Sequence, residues 1–502
     1  MHDLDKSPST SRLAKEIADS HETGKTGSIN SIVEPRRFRG TNLFDALPGL
    51  KKIVKLRSFQ FLLVFPNFIF FYIFLIAGIF GSPVGNRNII IVLVWILWWF
   101  LLMTFMVPFL SRLWCIMCPF PLFGEWFQRR ALIKVRSGRT GGLRNKVYGL
   151  SKRWPRKLTN IWIQNVGFML LGTFFVILAT RPFVSALVLG GLFVLATGLA
   201  VVYQRRVFCS YLCPVSGFLG LYSMSSMIEL RAVDPEVCAM CKTKSCATGN
   251  ELGWACPWFL NVATLHRNNF CGLCMECVKS CTNKNIGLFT RPLFSDTEMK
   301  GFDEAWKAFI MLALAFVYAV VLQGPWGFVK TWANVTEAGN WKGFLGFAGI
   351  VWVTSFAIFP ALWGIAIGLG RYFSGSNNVS WKKLFIGYSY ILVPLGLFAW
   401  IAFSLPLVMV NGSYVISVLS DPLGRGWNIF GTAQLPWKPF YPEYAIYIQV
   451  ILLLLGLGFS IKKGVEIGTA FFDDNRTIVR SLLPIMVLCV LITLGFLKVF
   501  AG

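Results

Sequence analysis

Nine stretches of this chain are too long and too apolar to be left in water. They run at about 59–80, 88–110, 161–180, 183–203, 307–325, 344–370, 384–410, 442–461 and 479–499. Each is long enough, as a helix, to cross roughly 30 Å of hydrocarbon. In that medium a segment must satisfy its own backbone polar groups, which commits these stretches to α-helices. Pro66, Pro108, Pro360, Pro394, Pro406 and Pro484 fall inside them, as membrane helices tolerate. Composition agrees: hydrophobic residues are 55% and charged residues 14% of 502, against about a quarter charged in soluble domains. Disorder, coiled coil and collagen are excluded on the same grounds.

The formal net charge is +25, from 48 Lys and Arg against 23 Asp and Glu. No nucleic-acid module accompanies it, so no nucleic-acid partner is expected. The basic residues sort by loop instead. With the N-terminus inside, 41 Lys and Arg fall on the inner side and 7 outside, the bias expected of cytoplasmic loops. This predicts nine helices with the C-terminus outside. Residues 1–57, which lack the apolar core of a signal peptide, read as a cytoplasmic polar tail.

The chain also repeats itself. The first helix pair ends in Arg112-Leu-Trp-Cys115-Ile-Met-Cys118-Pro119, running on to Gly124; the second ends in Arg206-Val-Phe-Cys209-Ser-Tyr-Leu-Cys213-Pro214, running on to Gly220. Each copy has Arg three residues before its first Cys and Pro after its second. Residues 58–230 therefore read as a duplicated two-helix unit. The first motif is one residue shorter than the second. The neighbouring Arg112, Arg205 and Arg206 read first as positive-inside anchors, and second as groups that stabilise thiolates.

Twelve of the thirteen cysteines lie between Cys115 and Cys281. The densest group reads Cys238-x2-Cys241-x4-Cys246, then Cys256-Pro257, then Cys271-x2-Cys274-x2-Cys277-x3-Cys281. Its second half has bacterial ferredoxin spacing, in which the fourth Cys serves the other of two clusters. This assigns Cys238, Cys241, Cys246 and Cys281 to one [4Fe–4S] cluster, and Cys271, Cys274, Cys277 and Cys256 to a second. The first half departs from the pattern through its wider spacings, and Thr282 follows Cys281 where Pro is usual. Zinc is the competing reading, but it does not call for eight cysteines in this order. For Cys115, Cys118, Cys209 and Cys213 three readings stay open: a third cluster or metal site, a redox-active dithiol pair, or buried free thiols. Cys489, alone in an apolar run, reads as a small core residue.

Two helix pairs ending in Cys-x2/3-Cys-Pro, followed by a two-cluster segment, resemble the NapH/NosR-type membrane polyferredoxins. The related CcoG-type proteins share the Cys-x3-Cys-Pro element. The resemblance covers about residues 59–290. It implies an electron-transfer subunit in the inner (plasma) membrane of a bacterium or archaeon, relaying electrons between quinone, or a soluble donor, and a redox partner protein. The CcoG likeness implies an alternative, a copper reductase or assembly factor; a redox-sensing regulator is a further alternative. The five helices after residue 306 are not assigned by the resemblance.

Almost no carboxylate lies in the apolar runs, which disfavours an ion pump. None of His2, His21 and His266 lies in one either, so a bis-histidine haem cannot be built. Gln60, Asn67, Gln164 and Asn165, and the outer loop 411–441 with Trp427, Trp437, Tyr441 and Asp421, are candidates for quinone contact; helix packing and an aromatic belt compete for them. The expected architecture is an all-α polytopic membrane protein. A small α+β ferredoxin-like segment at 231–305 is inserted on its cytoplasmic side, and 306–502 form a five-helix membrane domain.

Overall fold

The computed structural model describes residues 40–129, 149–375 and 379–501. Residues 1–39 of the expected tail, and 130–148 of the basic segment between the two repeats, lie outside the described residues. Among the described residues, eight helices are long and apolar enough to cross a membrane, and the chain is a multi-pass membrane protein. They are α1 (Phe59–Phe80), α2 (Ile91–Leu110), α6 (Pro182–Val202), α8 (Phe302–Leu322), α9 (Trp341–Ser374), α10 (Trp381–Asn411), α11 (Pro442–Gly468) and α12 (Asn475–Ala501).

The ninth expected run, 161–180, is not one continuous helix. It breaks at Phe174 into α4 (Trp162–Thr173) and α5 (Phe175–Thr180). Between the spans lie two shorter helices that follow the cysteine motifs, α3 (Leu122–Arg129) and α7 (Pro214–Ser223).

Helices α8 and α10 form the centre: 72% of the apolar window of each is buried, against 22% for α1 and 17% for α6. Hydrogen bonds between side chain and backbone tie this centre to its neighbours. Trp400 on α10 donates to the Met311 carbonyl on α8 at 2.9 Å, and Tyr318 on α8 donates to the Gly172 carbonyl on α4 at 2.7 Å. Trp99 on α2 packs against both Trp400 and Phe218. The five-helix half and the duplicated half thus share one core.

At one end of the bundle a small layer holds strands β1 (Ile228–Ala232) and β2 (Ile286–Thr290), antiparallel with Leu230 opposite Leu288. The helical turns Pro235–Met240, Ser245–Thr248 and Glu276–Ser280 lie between them in sequence. Residues 40–57 are part of this layer rather than a free tail. Asn42 bridges to Phe289, and Phe44 and Val54 are buried with Leu230, Leu273, Val278 and Leu288. Burying two such side chains stabilises the layer by about 1.5–3 kcal/mol each.

Candidate metal centre

The two Cys-Pro motifs are built by different local routes. Immediately before each conserved-in-repeat arginine the backbone turns left-handed, at Ser111 (φ 57°) and Arg205 (φ 56°). In the first copy Cys115 lies on the α-helical turn Trp114–Met117, and Cys118 is extended. In the second copy Cys209 lies on a π-helical turn, Phe208–Leu212, closed by the Cys213 N–H on the Phe208 carbonyl at 2.8 Å. A π turn absorbs one extra residue per turn. That accounts for the unequal x2 and x3 spacings: the longer loop is wound wider, and in both copies Pro then directs the chain into α3 or α7.

The four thiols of these motifs are electrostatic neighbours. Burial raises the Cys118 and Cys209 thiols well above the ordinary range and Cys213 to about 12. Negative charge on Cys213 or Cys115 raises Cys118 further, and charge on Cys213, Cys118 or Cys115 raises Cys209. Against this, Cys213 precedes α7, and the Ser216 and Val215 N–H groups of that helix's first turn pull its thiol down.

The arginines cross between the copies. Arg206 of the second repeat donates to both oxygens of Glu125 on α3, from Nε at 2.6 Å and from its other arm at 2.9 Å, and to the Cys115 carbonyl at 2.7 Å. Arg112 of the first repeat donates to Ser216 on α7 and to the Asn269 carbonyl, and stacks on Trp258 with its guanidinium 4.5 Å from the ring centre. Arg112 is 2% and Arg206 3% exposed. Neither is an interfacial anchor, as their positions beside membrane helices suggest; Arg205 alone is only partly buried, against Phe259. Burial alone would raise the Glu125 carboxyl, but Arg129 and Arg206 hold it down at about 2. Gln60, a quinone candidate by sequence, donates to Glu125 at 3.1 Å.

The other eight cysteines, expected as two fours, also act on one another electrostatically. Charge on Cys281 and Cys241 raises Cys238, and charge on Cys281, Cys238 and Cys241 raises Cys246, each in addition to burial. Asn285 donates to the Cys238 sulfur from its side chain and to the Cys281 sulfur from its backbone, both at 3.4 Å. In the second four, Cys256 is pushed up to about 11 by burial and is further raised by Cys271. Cys274 responds to Cys256, and Cys277 to Cys274, Cys271 and Cys256.

The three fours are also coupled in order. Charge on Cys246 of the first reaches Cys277 of the second. Arg206 acts on both Cys274 and Cys209, and Arg112 on both Cys271 and Cys213. Burial rises along this order. None of the first four is buried, while Cys256 and Cys274 of the second and Cys115, Cys209 and Cys213 of the third are. All thirteen cysteines are free thiols, and Cys489 is buried in α12. Among the described residues no three His, Cys, Asp or Glu side chains stand closely enough to hold a single metal ion. The fours are therefore groups of neighbours, not a ready-made shell for one ion.

The loop carrying the second four is locked to α8. Arg267 grips Glu304 through two bonds of 2.9 and 3.0 Å, and Asn269 donates to the same carboxylate at 2.9 Å. Gly220, common to both repeats' endings with Gly124, lies where a Cβ would overlap Asn269, and a Cβ at Gly124 would overlap Ala200.

Sequence reading missed Glu125, Asn285, Trp258 and Lys307. Lys307 looks like one more inner-loop cation, yet it lies inside α8 with 0% exposure. Its ammonium is 3.4 Å from the Gln164 carbonyl and 4.9 Å from the Phe168 ring centre. Among the described residues no carboxylate pairs with it. Asn165 donates to the Asp303 carbonyl, and Asn67 to its own helix. In the loop 411–441, Trp437 donates to the Val410 carbonyl, while Trp427 and Tyr441 are exposed.

No known protein family, curated protein or solved structure matches this chain.

Proposed function

We propose that this protein is a membrane-bound iron–sulfur electron carrier. Cys238, Cys241, Cys246 and Cys281 would hold one [4Fe–4S] cluster and Cys256, Cys271, Cys274 and Cys277 a second. Cys115, Cys118, Cys209 and Cys213 would hold a third. Bound there, clusters supply reversible one-electron chemistry. The single observation that supports the reading is that thiols of each four lie near enough for charge on one to act on another, despite separations of up to about a hundred residues between the Cys-Pro motifs.

The charges around the third four favour a metal–thiolate centre over plain packing. Arg112 is buried without a carboxylate partner among the described residues, and a guanidinium cannot shed its proton. A buried cation without a counter-charge is strongly unfavourable. Neutral thiols offer none, whereas thiolates on a metal do, because coordination deprotonates a thiol outright. The chain's own part is to supply ligands, exclude water, and set potential through Arg206, Arg112, Lys307 and the N–H groups that reach sulfur.

The graded burial suits a relay. The first four, partly open to solvent, faces a soluble redox partner, and the third lies against the membrane helices. The excess of Lys and Arg in the loops at this end makes it the cytoplasmic end. The test is iron and acid-labile sulfide content of the full chain purified anaerobically, with electron paramagnetic resonance on dithionite reduction. About twelve irons and twelve sulfides per chain, with cluster signals, is the expected result at four of each per cluster. Zinc in their place, or no labile sulfide, overturns the reading. Iron centres that reduce copper but never exchange electrons with a quinone or a soluble carrier would move the assignment to the copper-reductase alternative.

A further inference from the structure

The short helix Pro48–Lys55 has two unlike sides. One belongs to the strand layer: Val54, 1% exposed, is buried with Leu230, Leu273, Met275 and Val278, and Leu50 packs beside it. The other side faces away from the protein, and it is not the polar surface that water favours. Ile53 is 52% and Leu56 50% exposed, with Lys52, Lys55 and Arg57 exposed among them. Single exposed aliphatics are ordinary on a protein surface. Aliphatics set among cations on a helix that leads into a membrane span are the pattern of a segment lying in the lipid interface.

What covers this side follows from what it adjoins. The turn Leu56–Arg57–Ser58 joins the helix to α1. The Phe59 N–H donates to the Leu56 carbonyl at 3.2 Å, and the Leu56 N–H to the Ile53 carbonyl at 3.1 Å. Leu56 therefore stands beside the first residue of the span, with Ile53 one turn behind it. The headgroup layer is roughly 5–8 Å deep on each side of the hydrocarbon, about one helical turn. From Phe59 onward α1 exposes Phe61, Leu62, Phe65 and Ile69, the side chains of a span that meet lipid. A soluble protein seated on Ile53 and Leu56 would have to displace that lipid.

Charge narrows the lipid. Lys51, Lys52, Lys55 and Arg57 fall in this segment, and no Asp or Glu occurs between Asp45 and the end of α1. Among the described residues none of the four pairs with a carboxylate; Arg57 donates to the neutral Glu251 carbonyl at 3.0 Å. At headgroup level the available anion is a phosphodiester. An anionic phospholipid brings no cation of its own to oppose the lysines, and each basic residue near such a surface strengthens attachment roughly fivefold.

We infer that the helix Pro48–Lys55 and the turn after it dock on anionic phospholipid, with Lys52, Lys55 and Arg57 on the headgroups and Ile53 and Leu56 sunk beside them. The inference goes beyond the electron-carrier reading and stands without it. It also ties lipid to the cysteine layer. Val54, on the inner side of the same helix, packs among Leu273, Met275 and Val278, the loop of the second cysteine four. Lipid that binds the docked helix stabilises that layer by mass action.

The test uses the full chain in nanodiscs of phosphatidylcholine with increasing fractions of phosphatidylglycerol, read by amide hydrogen exchange. Phosphatidylglycerol should slow exchange in 48–57 and in the strand 286–290, and high salt should reverse the effect. Lys52→Gln and Lys55→Gln should each raise the phosphatidylglycerol fraction needed for half the effect roughly fivefold, while Lys52→Arg should behave as wild type. Lys242→Gln combined with Lys284→Gln, which removes two exposed cations of the same layer, should change nothing. Benzoylphenylalanine in place of Ile53 should crosslink to phospholipid on illumination. Exchange indifferent to phosphatidylglycerol overturns the inference, as do crosslinks to residues 1–39 or to another protein in place of lipid. An equal loss in the Lys242 and Lys284 variant overturns it too, because net charge and not this helix would then be responsible. Should a Gln variant fail to insert, the wild-type lipid series and the crosslink still decide.

Discussion

Replacing Glu125 with Gln should destabilise the protein more than a single substitution on a short helix ordinarily does. Glu125 holds the buried Arg206 by bonds of 2.6 and 2.9 Å and also accepts from Arg129 and Gln60. Removing one member of a buried ion pair costs about 3–5 kcal/mol, because the other charge stays buried unpaired. Gln keeps the shape and one acceptor, so the lower end, about 3 kcal/mol, is expected, roughly two orders of magnitude in the folding equilibrium. The assay is equilibrium unfolding of both proteins in mixed micelles near neutral pH. The pH dependence has a fixed sign. The Glu125 carboxyl goes from an ordinary 4.5 down to about 2 in the folded protein, so its contribution is complete above the ordinary value and is lost as pH falls toward the folded one. The gap between wild type and Glu125→Gln should therefore narrow between those two values. Replacing both partners, as Glu125→Leu with Arg206→Met, should recover much of the loss, since no charge is then left buried. A Glu125→Gln variant within about 1 kcal/mol of wild type, or a gap that does not change with acid, would refute the argument.

The remaining predictions concern the thiols and the charges beside them. Ala in place of Cys118, Cys281 or Cys277 should each remove the iron of one centre and leave the other two, counted by iron analysis, while Cys489→Ala should leave iron content unchanged. Lys307→Met removes a buried positive charge felt at Cys213; it should lower the midpoint potential of the third centre by about 60 mV, the one-electron equivalent of about 1.4 kcal/mol, as read by potentiometric titration. Asn285→Leu removes the side-chain N–H at 3.4 Å from the Cys238 sulfur. It should lower the potential of the first centre only, and an equal shift at all three would contradict the assignment.

Much of this protein is written locally. Hydrophobic run length marks the spans, because a membrane helix must satisfy its backbone within its own segment. Cysteine spacing marks which thiols share a loop, and charge on these thiols acts both within the fours drawn from it and between them, as from Cys246 to Cys277. Even the unequal Cys-Pro spacings carry structural information, which a π turn at Phe208–Leu212 translates. The break at Phe174 was not readable, since an apolar run looks the same whether or not its helix is continuous. Nor was the fate of residues 40–57, whose Phe44 and Val54 find a core that does not exist until β1 and β2 pair.

Charge was the least legible property. A Lys or Arg beside a membrane helix has the same sequence signature whether it reaches water or turns inward. Only the tertiary structure brings Glu125 to Arg206 across 81 residues, Ser216 to Arg112 across 104, and Lys307 against Gln164 across 143. Sequence alone decided which segments must be helical and which thiols share a loop, because those follow from hydrogen bonding within a segment and from short spacing along the chain. The partners of the buried charges depend on which helix ends meet, and no local pattern encodes that meeting.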